Sequence, residues 1–541
     1  MNQAARKHGG IPGAFLLVAG LMAAGLWWLS TLPLWHTDLW GHLAYGRWIT
    51  EHGQLPATEP LMPLAVNAPF VDSAWLSQWL GYQLWRCGGV AALQFAFAAS
   101  VMAAVGLLLD RLRRKTGSLL WGCAEIGFLF LLERQQWFVG TSPCNALIRP
   151  QLAGLVAFVF IFTRLERGTL RRSDWILLPL TLALWANLHG SFILGLGLLA
   201  VYTLGRFLDV WRRTGSGRRA LGHRRLRQLA GLMLLCALAG LINPYGAGLY
   251  REVLTFAADP NLQALVEWRP LGTRLFQAQA AIAVAVLLGV VYCVTPRRRR
   301  AAELILLLGL GVAMAQVSRF LHWWAIPAAY FAALHGHAVG RSLFRRLGKA
   351  WRTSFPANRP TTADIAPRTG DAVGQSPLTE LPQEYSAANL FGWIGGGLLI
   401  AAAVVATPLG QQEIRGKSLS LQDQVSRATP VALTEHLRQH PPRGQVFNAY
   451  EWGDYLVWAG PPELPIFVHS HAHLVPPEVW EDYRAAVRAW PGWRETMSKY
   501  RVGTIVIDRS RTALLGELRR SPDWELAYED ATGSVFRRRG S

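Results

Sequence analysis

Apolar residues run through this chain in long blocks, separated by short polar connections. The blocks lie at about 12–31, 88–110, 118–133, 150–165, 174–188, 190–209, 228–243, 276–295, 301–318, 320–339 and 388–408. Most approach the roughly 20 residues that an α-helix needs to cross a bilayer. The pattern predicts an all-α polytopic membrane protein with about eleven transmembrane helices. The first block follows Arg6 and Lys7, as in a signal peptide. It is long, ends among Trp27, Trp28 and Trp35, and lacks an A-x-A site, so it reads as a retained helix.

Two regions break this pattern. Residues 32–75 form the first outer loop, where Leu39, Trp40, Leu43, Ala44, Trp48 and Ile49 recur at helical spacing. That predicts an amphipathic helix on the membrane surface, with Asp38, His42 and Tyr45 on its other face and Gly53 at its end. A second helix is expected over 74–85, with Trp75, Trp79 and Trp85 suited to the interface. The tail is the other exception. Short β-rich runs at 445–449, 465–469 and 503–508 alternate with helical stretches at 478–489, 494–500 and 511–519. A closing hairpin is expected around Ala531, Thr532 and Gly533. The domain plan is therefore a membrane domain over 1–340, a cytoplasmic linker over 341–387 and a last transmembrane helix over 388–408. A small extracytoplasmic α/β domain follows over 409–541.

Composition agrees with a membrane protein: 51% of residues are hydrophobic and only 16% charged. The formal net charge of +20 first suggests nucleic acid. Its distribution points elsewhere. Basic residues cluster between apolar blocks, as at Arg111–Lys115, Arg164–Arg172, Arg212–Arg227, Arg297–Arg300 and Arg341–Lys349. A chain starting inside places every cluster in the cytoplasm, as the positive-inside rule requires, and the tail outside. No nucleic-acid partner is expected; the lipid bilayer is. The cysteines have no zinc spacing, and Cys87 with Cys144 is an open disulfide pairing.

Polar groups at the ends of apolar blocks are costly and call for a reason. Here they gather on the outer side: Asp38 and His42; Asn145, Arg149 and Gln151; Asn187 and His189; Asn243; and Gln316, Ser318, Arg319 and His322. Ordinary turn chemistry explains any one group, since Asn-Pro and His-Gly make tight connections. The short inner turns are dominated by Arg and Lys and show far less Asn, His and Gln. A carboxylate in this crown can take a proton from a hydroxyl or hold a divalent cation. Arginines can grip phosphate, and Asn and His can hydrogen-bond a sugar.

The run Thr37-Asp38-Leu39-Trp40-Gly41-His42-Leu43-Ala44-Tyr45-Gly46, directly after the first apolar block, resembles the start of the first outer loop in GT-C type membrane glycosyltransferases. That group includes oligosaccharyltransferase catalytic subunits, protein O-mannosyltransferases and lipid A aminoarabinose transferases. Trp75-Leu76-Ser77-Gln78, Arg149-Pro150-Gln151, Asn187-Leu188-His189-Gly190, Asn243-Pro244-Tyr245-Gly246 and Tyr450–Leu456 extend a likeness to uncharacterised bacterial membrane proteins of this type. The likeness covers most of the chain outside 341–386. It departs from the family pattern in having Asp38 as a lone acid; relatives often have an acid where Gln78 stands, and Asp72 is the nearest substitute.

The resemblance implies a bacterial inner-membrane enzyme. It would move a sugar from a polyprenyl-phosphate carrier to an extracytoplasmic glycan, lipid or protein acceptor. Asp38 and His42 are then the catalytic candidates, and Arg149 and Arg319 hold the donor phosphate. Gln151, Asn187, His189 and His322 contact sugar or acceptor. A divalent cation (Mg or Mn) stays open as a cofactor, with Asp38 and Asp72 as ligands. His469, His471 and His473 are a separate metal candidate: on a strand they share one face, whereas Pro476-Pro477 favours a loop. Two other readings stay open, an O-antigen ligase or polymerase type enzyme and a non-enzymatic transporter or assembly scaffold.

Overall fold

The computed structural model describes residues 11–133, 138–139, 145–354, 387–416 and 419–540. The chain is mostly helical, with one small sheet near its C-terminus. Each of the predicted apolar blocks is helical over most of its length. By length and composition alone, three described helices can cross a membrane: Trp75–Thr116, Gly190–Thr214 and Phe276–Val294. A fourth is gained if Gly392–Ala406 and Pro408–Arg415, bent by 73° at their junction, count together. That criterion gives three to four crossings among the described residues, against the eleven apolar blocks of the sequence. Most of the predicted linker, and Cys144 of the open disulfide pairing, lie outside the described residues.

Several boundaries differ for identifiable reasons. The predicted interfacial helix and the second apolar block are one helix, Trp75–Thr116, broken only where Gly88 and Gly89 leave helical geometry. Gly89 has φ 60° and ψ −146°, which an L side chain resists. The block at 320–339 runs on as far as Ser354. Close approach has a sequence cause at Gly205, where a Cβ would lie 2.5 Å from the backbone nitrogen of Ala302 on a neighbouring helix. At the ends carrying the basic clusters, several arginines are paired. Arg300 reaches both Glu166 (2.6 Å) and Glu303 (2.5 Å), and Arg164 reaches Asp174 (3.0 Å). Buried acids tolerate these positions because they are paired.

The tail sheet has strands β1 (Gln445–Asn448), β2 (Val502–Asp508), β3 (Trp524–Glu529) and β4 (Gly533–Arg538), in the order β1-β2-β4-β3. The β1 and β2 pair is parallel and the others antiparallel. Asp530 Oδ1 makes the hairpin turn by accepting from the Thr532 N–H (2.7 Å) and the Gly533 N–H (3.1 Å). The expected strand at 465–469 is reduced to a single bridge, Ile466 to Val446. Beyond it the chain turns away, because the Asn448 side chain takes over as partner to Phe467 and Val468.

The tail does not stand apart. Met62 and Ala65 of the first outer loop are buried in its apolar core with Phe447, Trp452 and Phe467. The helix Leu39–His52 is held between the Trp75–Thr116 helix and the tail helix Gly453–Ala459. Arg47 donates to the carbonyls of Val457 and Trp458, both at 3.2 Å. The expectation of a helix resting on lipid is corrected here. Trp40, Leu43 and Ala44 are buried, and so is Tyr45 on the supposedly polar face. Protein, rather than headgroups, covers both faces.

Candidate active site

One cavity of about 310 Å³ opens where the first outer loop, the helix ends at His189–Leu194 and Val317–Trp323, the Ala247–Phe256 helix and the tail meet. Its wall includes Asp38, His42, Asp72, Gln151, His189, Arg319, His471 and His473, all singled out from sequence. It also includes Tyr450, the first residue of the tail motif, and Glu252 and Glu267, which were not singled out.

Asp38 is held in an unusual backbone state. Its φ is 56° and ψ −55°, and the Leu39 N–H donates to the Thr37 carbonyl at 2.6 Å. This is a γ-turn with positive φ, a rare and strained form that costs on the order of 1–3 kcal/mol for a residue with a side chain. Two contacts hold it. The Asp38 N–H donates to Asp454 Oδ2 at 3.2 Å, and the Asp38 carboxylate is ion-paired with Arg149. The side chain makes no capping bond to the helix that follows. The turn therefore aims the carboxylate at Arg149 and the cavity, away from the helix end.

Arg149 stands behind this wall and links two carboxylates. It pairs with Asp38 and, at 3.0 Å, with Glu267. Arg319 reaches the same Glu267 at 3.5 Å and lies 5.0 Å over the Trp268 ring. Against the upward pull of burial, Arg319 and Arg149 hold the Glu267 carboxyl well below its usual range.

His42 has a defined tautomer. Gln78 Nε2 donates to Asp72 Oδ1 (3.0 Å), which orients the amide, and also faces His42 Nδ1 at 3.3 Å. His42 Nδ1 then accepts, and its proton sits on Nε2. Burial, with Arg149 and His469 adding to it, pushes this imidazole down to about 3, so it is a neutral N–H donor at neutral pH. Asp72 is itself buried. Its Oδ1 also accepts from the Ala74 N–H (3.0 Å), while Oδ2 has no hydrogen-bond partner among the described residues. Burial pushes this carboxyl up to about 7.

Three expected site residues are placed differently. Asn187 accepts from Trp75 Nε1 at 3.1 Å and donates to the Ile242 and Ala183 carbonyls. That use joins helices and leaves it off the cavity wall. His322 is buried, packed edge-on to Trp323. His469 faces inward. It accepts the His471 N–H at Nδ1 (3.1 Å), and its Nε2 lies 3.3 Å from the Tyr45 hydroxyl, which donates to Glu59 at 2.5 Å. Residues 469–473 form a loop leading into a short 3-10 turn, so the shared face expected of a strand is absent. Among the described residues, no three His, Cys, Asp or Glu side chains are placed to hold a metal ion.

No protein-family model matches the sequence. No curated protein matches it. Solved structures similar to the chain include the following two. One is the apo oligosaccharyltransferase of Archaeoglobus fulgidus, at 13% identity and TM-score 0.49, covering 92% of this chain and 69% of that one. The other is ArnT from Cupriavidus metallidurans bound to undecaprenyl phosphate, also at 13% identity and TM-score 0.49, covering 96% and 97%.

Proposed function

We propose that this chain is a GT-C type glycosyltransferase of the bacterial inner membrane, moving a sugar from a polyprenyl-phosphate carrier to an extracytoplasmic acceptor. The reading takes eleven crossings, the N-terminus inside and the tail domain outside. The observation that carries it is the strained Asp38 turn, whose carboxylate meets Arg149 at the edge of a cavity built from helix ends. Strain of this kind persists where surrounding structure over-determines it, as at catalytic positions.

The cavity divides the labour among its residues. An acceptor hydroxyl attacks the anomeric carbon and gives its proton to the Asp38 carboxylate. The new carbon–oxygen bond forms as the bond to the carrier phosphate breaks, and the leaving phosphate takes its electron pair to the Arg149 and Arg319 side. His42 Nε2–H, Gln151 and His189 supply hydrogen bonds for hydroxyls. Phe256, Trp268, Phe320 and Trp323 give the wall apolar surface for a sugar face or an isoprenoid. A divalent cation does not fit the residues as they stand. Asp38 is taken by Arg149, Asp72 has one oxygen held by Gln78 and the Ala74 N–H, and among the described residues no third His, Cys, Asp or Glu side chain joins them in a metal-ligating group. No step is assigned to one.

Purified protein in nanodiscs, given undecaprenyl-phosphate-linked sugars and envelope extracts, should release undecaprenyl phosphate. Cells without the protein should accumulate the linked sugar. A deletion strain with unchanged lipid-linked sugars and unchanged glycans would remove this reading.

A further inference from the structure

The two arginines expected to hold a phosphate already hold a carboxylate. Glu267 lies on the short turn Val266–Trp268, with Oε2 at 3.0 Å from Arg149 and Oε1 at 3.5 Å from Arg319. One carboxylate spanning two guanidiniums reproduces the way an arginine pair grips a phosphate, with a separate oxygen for each fork. Its backbone is fastened to the neighbouring segment. Ser318 Oγ donates to the Glu267 carbonyl at 2.8 Å, and the Ser318 N–H donates to the Arg269 carbonyl at 3.0 Å. The side chain is less confined than its backbone: 36% of it is exposed, and it lines the cavity beside Arg319.

The charge balance makes this arrangement consequential. Among the described lining residues, Asp38, Asp72, Glu252 and Glu267 face a single guanidinium, Arg319, with Arg149 just behind. Both guanidiniums are committed to internal carboxylates. An incoming phosphate would meet like charge and no uncommitted cation. It can reach the arginines only if Glu267 gives way.

We propose that Glu267 is a resident occupant of an anion site made by Arg149 and Arg319, displaced when a phosphate or pyrophosphate group enters. This rests on the reading of a phosphate-bearing donor and adds a cycle to it. Entry of the anion breaks the two Glu267 contacts, which lowers its affinity. Return of Glu267 to the arginines then competes with the phosphate left behind and speeds its release. The alternative for the same contacts is that Glu267 only orients the arginines, and the two predict opposite signs.

The test is binding to the full chain in nanodiscs, with undecaprenyl phosphate and inorganic pyrophosphate as probes. Glu267→Gln keeps shape and an acceptor oxygen but removes the charge. It is expected to bind both probes about tenfold tighter or more, since a like charge within contact distance is gone. Arg319→Ala is expected to lose the gain. Glu267→Asp, one methylene shorter, cannot span both guanidiniums and should show a smaller tightening; it serves if the Gln variant is poorly folded. Equal or weaker binding by both Glu267 variants overturns the proposal and leaves an orienting role. Tighter pyrophosphate binding without any binding of undecaprenyl phosphate keeps the anion site and removes the lipid-carrier reading. Binding of neither probe to a folded Glu267→Gln protein removes the site.

Discussion

The backbone N–H of Asp38 donates to Asp454 Oδ2 across a sequence separation of 416 residues. The tail domain thus reaches the proposed catalytic turn directly. Asp454 is fully buried, and Ser470 Oγ donates to its other oxygen at 2.8 Å. The carboxylate is therefore fixed from both sides, and it fixes the Asp38 turn in return.

Gly41 makes this approach possible. A Cβ there would lie 2.0 Å from Asp454 Oδ1. Gly41→Ala should therefore push Asp454 away and cost about 1–3 kcal/mol, the usual range for overpacking. Thermal unfolding should show a lowered midpoint, and limited proteolysis should release the tail faster. An unchanged midpoint would show that the Asp454 contact is not close-packed.

Asp72 gives a pH signature. Burial raises its carboxyl to about 7, so the folded protein binds a proton there that the unfolded chain, near 3.8, has already lost. Between these values the folded state holds more protons, and stability falls as pH rises through the window. Asp72→Asn removes the penalty and keeps an acceptor for Ala74 and Gln78. Its gain over the wild type should be small near pH 4 and grow to about 4 kcal/mol at most above pH 7. Unfolding midpoints of both proteins at pH 5 and pH 8 check this. A difference that does not grow with pH contradicts the burial argument.

The sequence carried much of this arrangement, and what it missed has a common cause. Apolar periodicity located the helices, and helix-end polarity brought Asp38, His42, Gln151, His189 and Arg319 to one cavity wall. Asp72 emerged as the substitute acid for Gln78, and the two are hydrogen-bonded to each other. Glu267 was missed as a site neighbour, and Asp454, though part of the tail motif, was not connected to Asp38, because their partners lie far along the chain. Arg149 is 118 residues from Glu267. The helix Ala247–Phe256 carries an amphipathic spacing of its own, Leu249, Val253 and Phe256, that went unread, whereas nothing local marks the turn at Glu267 as part of a site. The helix Leu39–His52 was misplaced on lipid for a related reason. Its spacing shows one apolar face, and only the folded tail reveals that the other face is covered as well.

The orientation is a prediction of its own. The positive-inside distribution places residue 215 in the cytoplasm and residue 450 outside. Reporter fusions at those positions should report opposite compartments. Both on one side would contradict the eleven-crossing reading and separate the tail from an outer-face reaction.

Asp38→Asn is the decisive substitution. The side chain does not cap the following helix, so the usual structural reason for tolerating Asn at a helix start does not apply. Asn is also among the residues least penalised at positive φ, so the γ-turn should survive, and the Asp38 N–H bond to Asp454 needs only the backbone. The charge is what changes. Arg149 loses one of its two carboxylates and keeps Glu267. With both side chains only 20% exposed but Arg149 still paired with Glu267, stability should fall by about 1–3 kcal/mol, below the roughly 3–5 kcal/mol of an orphaned buried charge, and the protein should still reach the membrane. Transfer from the undecaprenyl-linked donor should fall by about 10² to 10⁴, the range for a lost general base, with donor binding retained. If binding fell while single-turnover transfer stayed intact, Asp38 would be acting through Arg149 on the phosphate. Full activity in a well-expressed Asp38→Asn protein would remove the base and leave the arginine and histidine wall as the working part of the cavity.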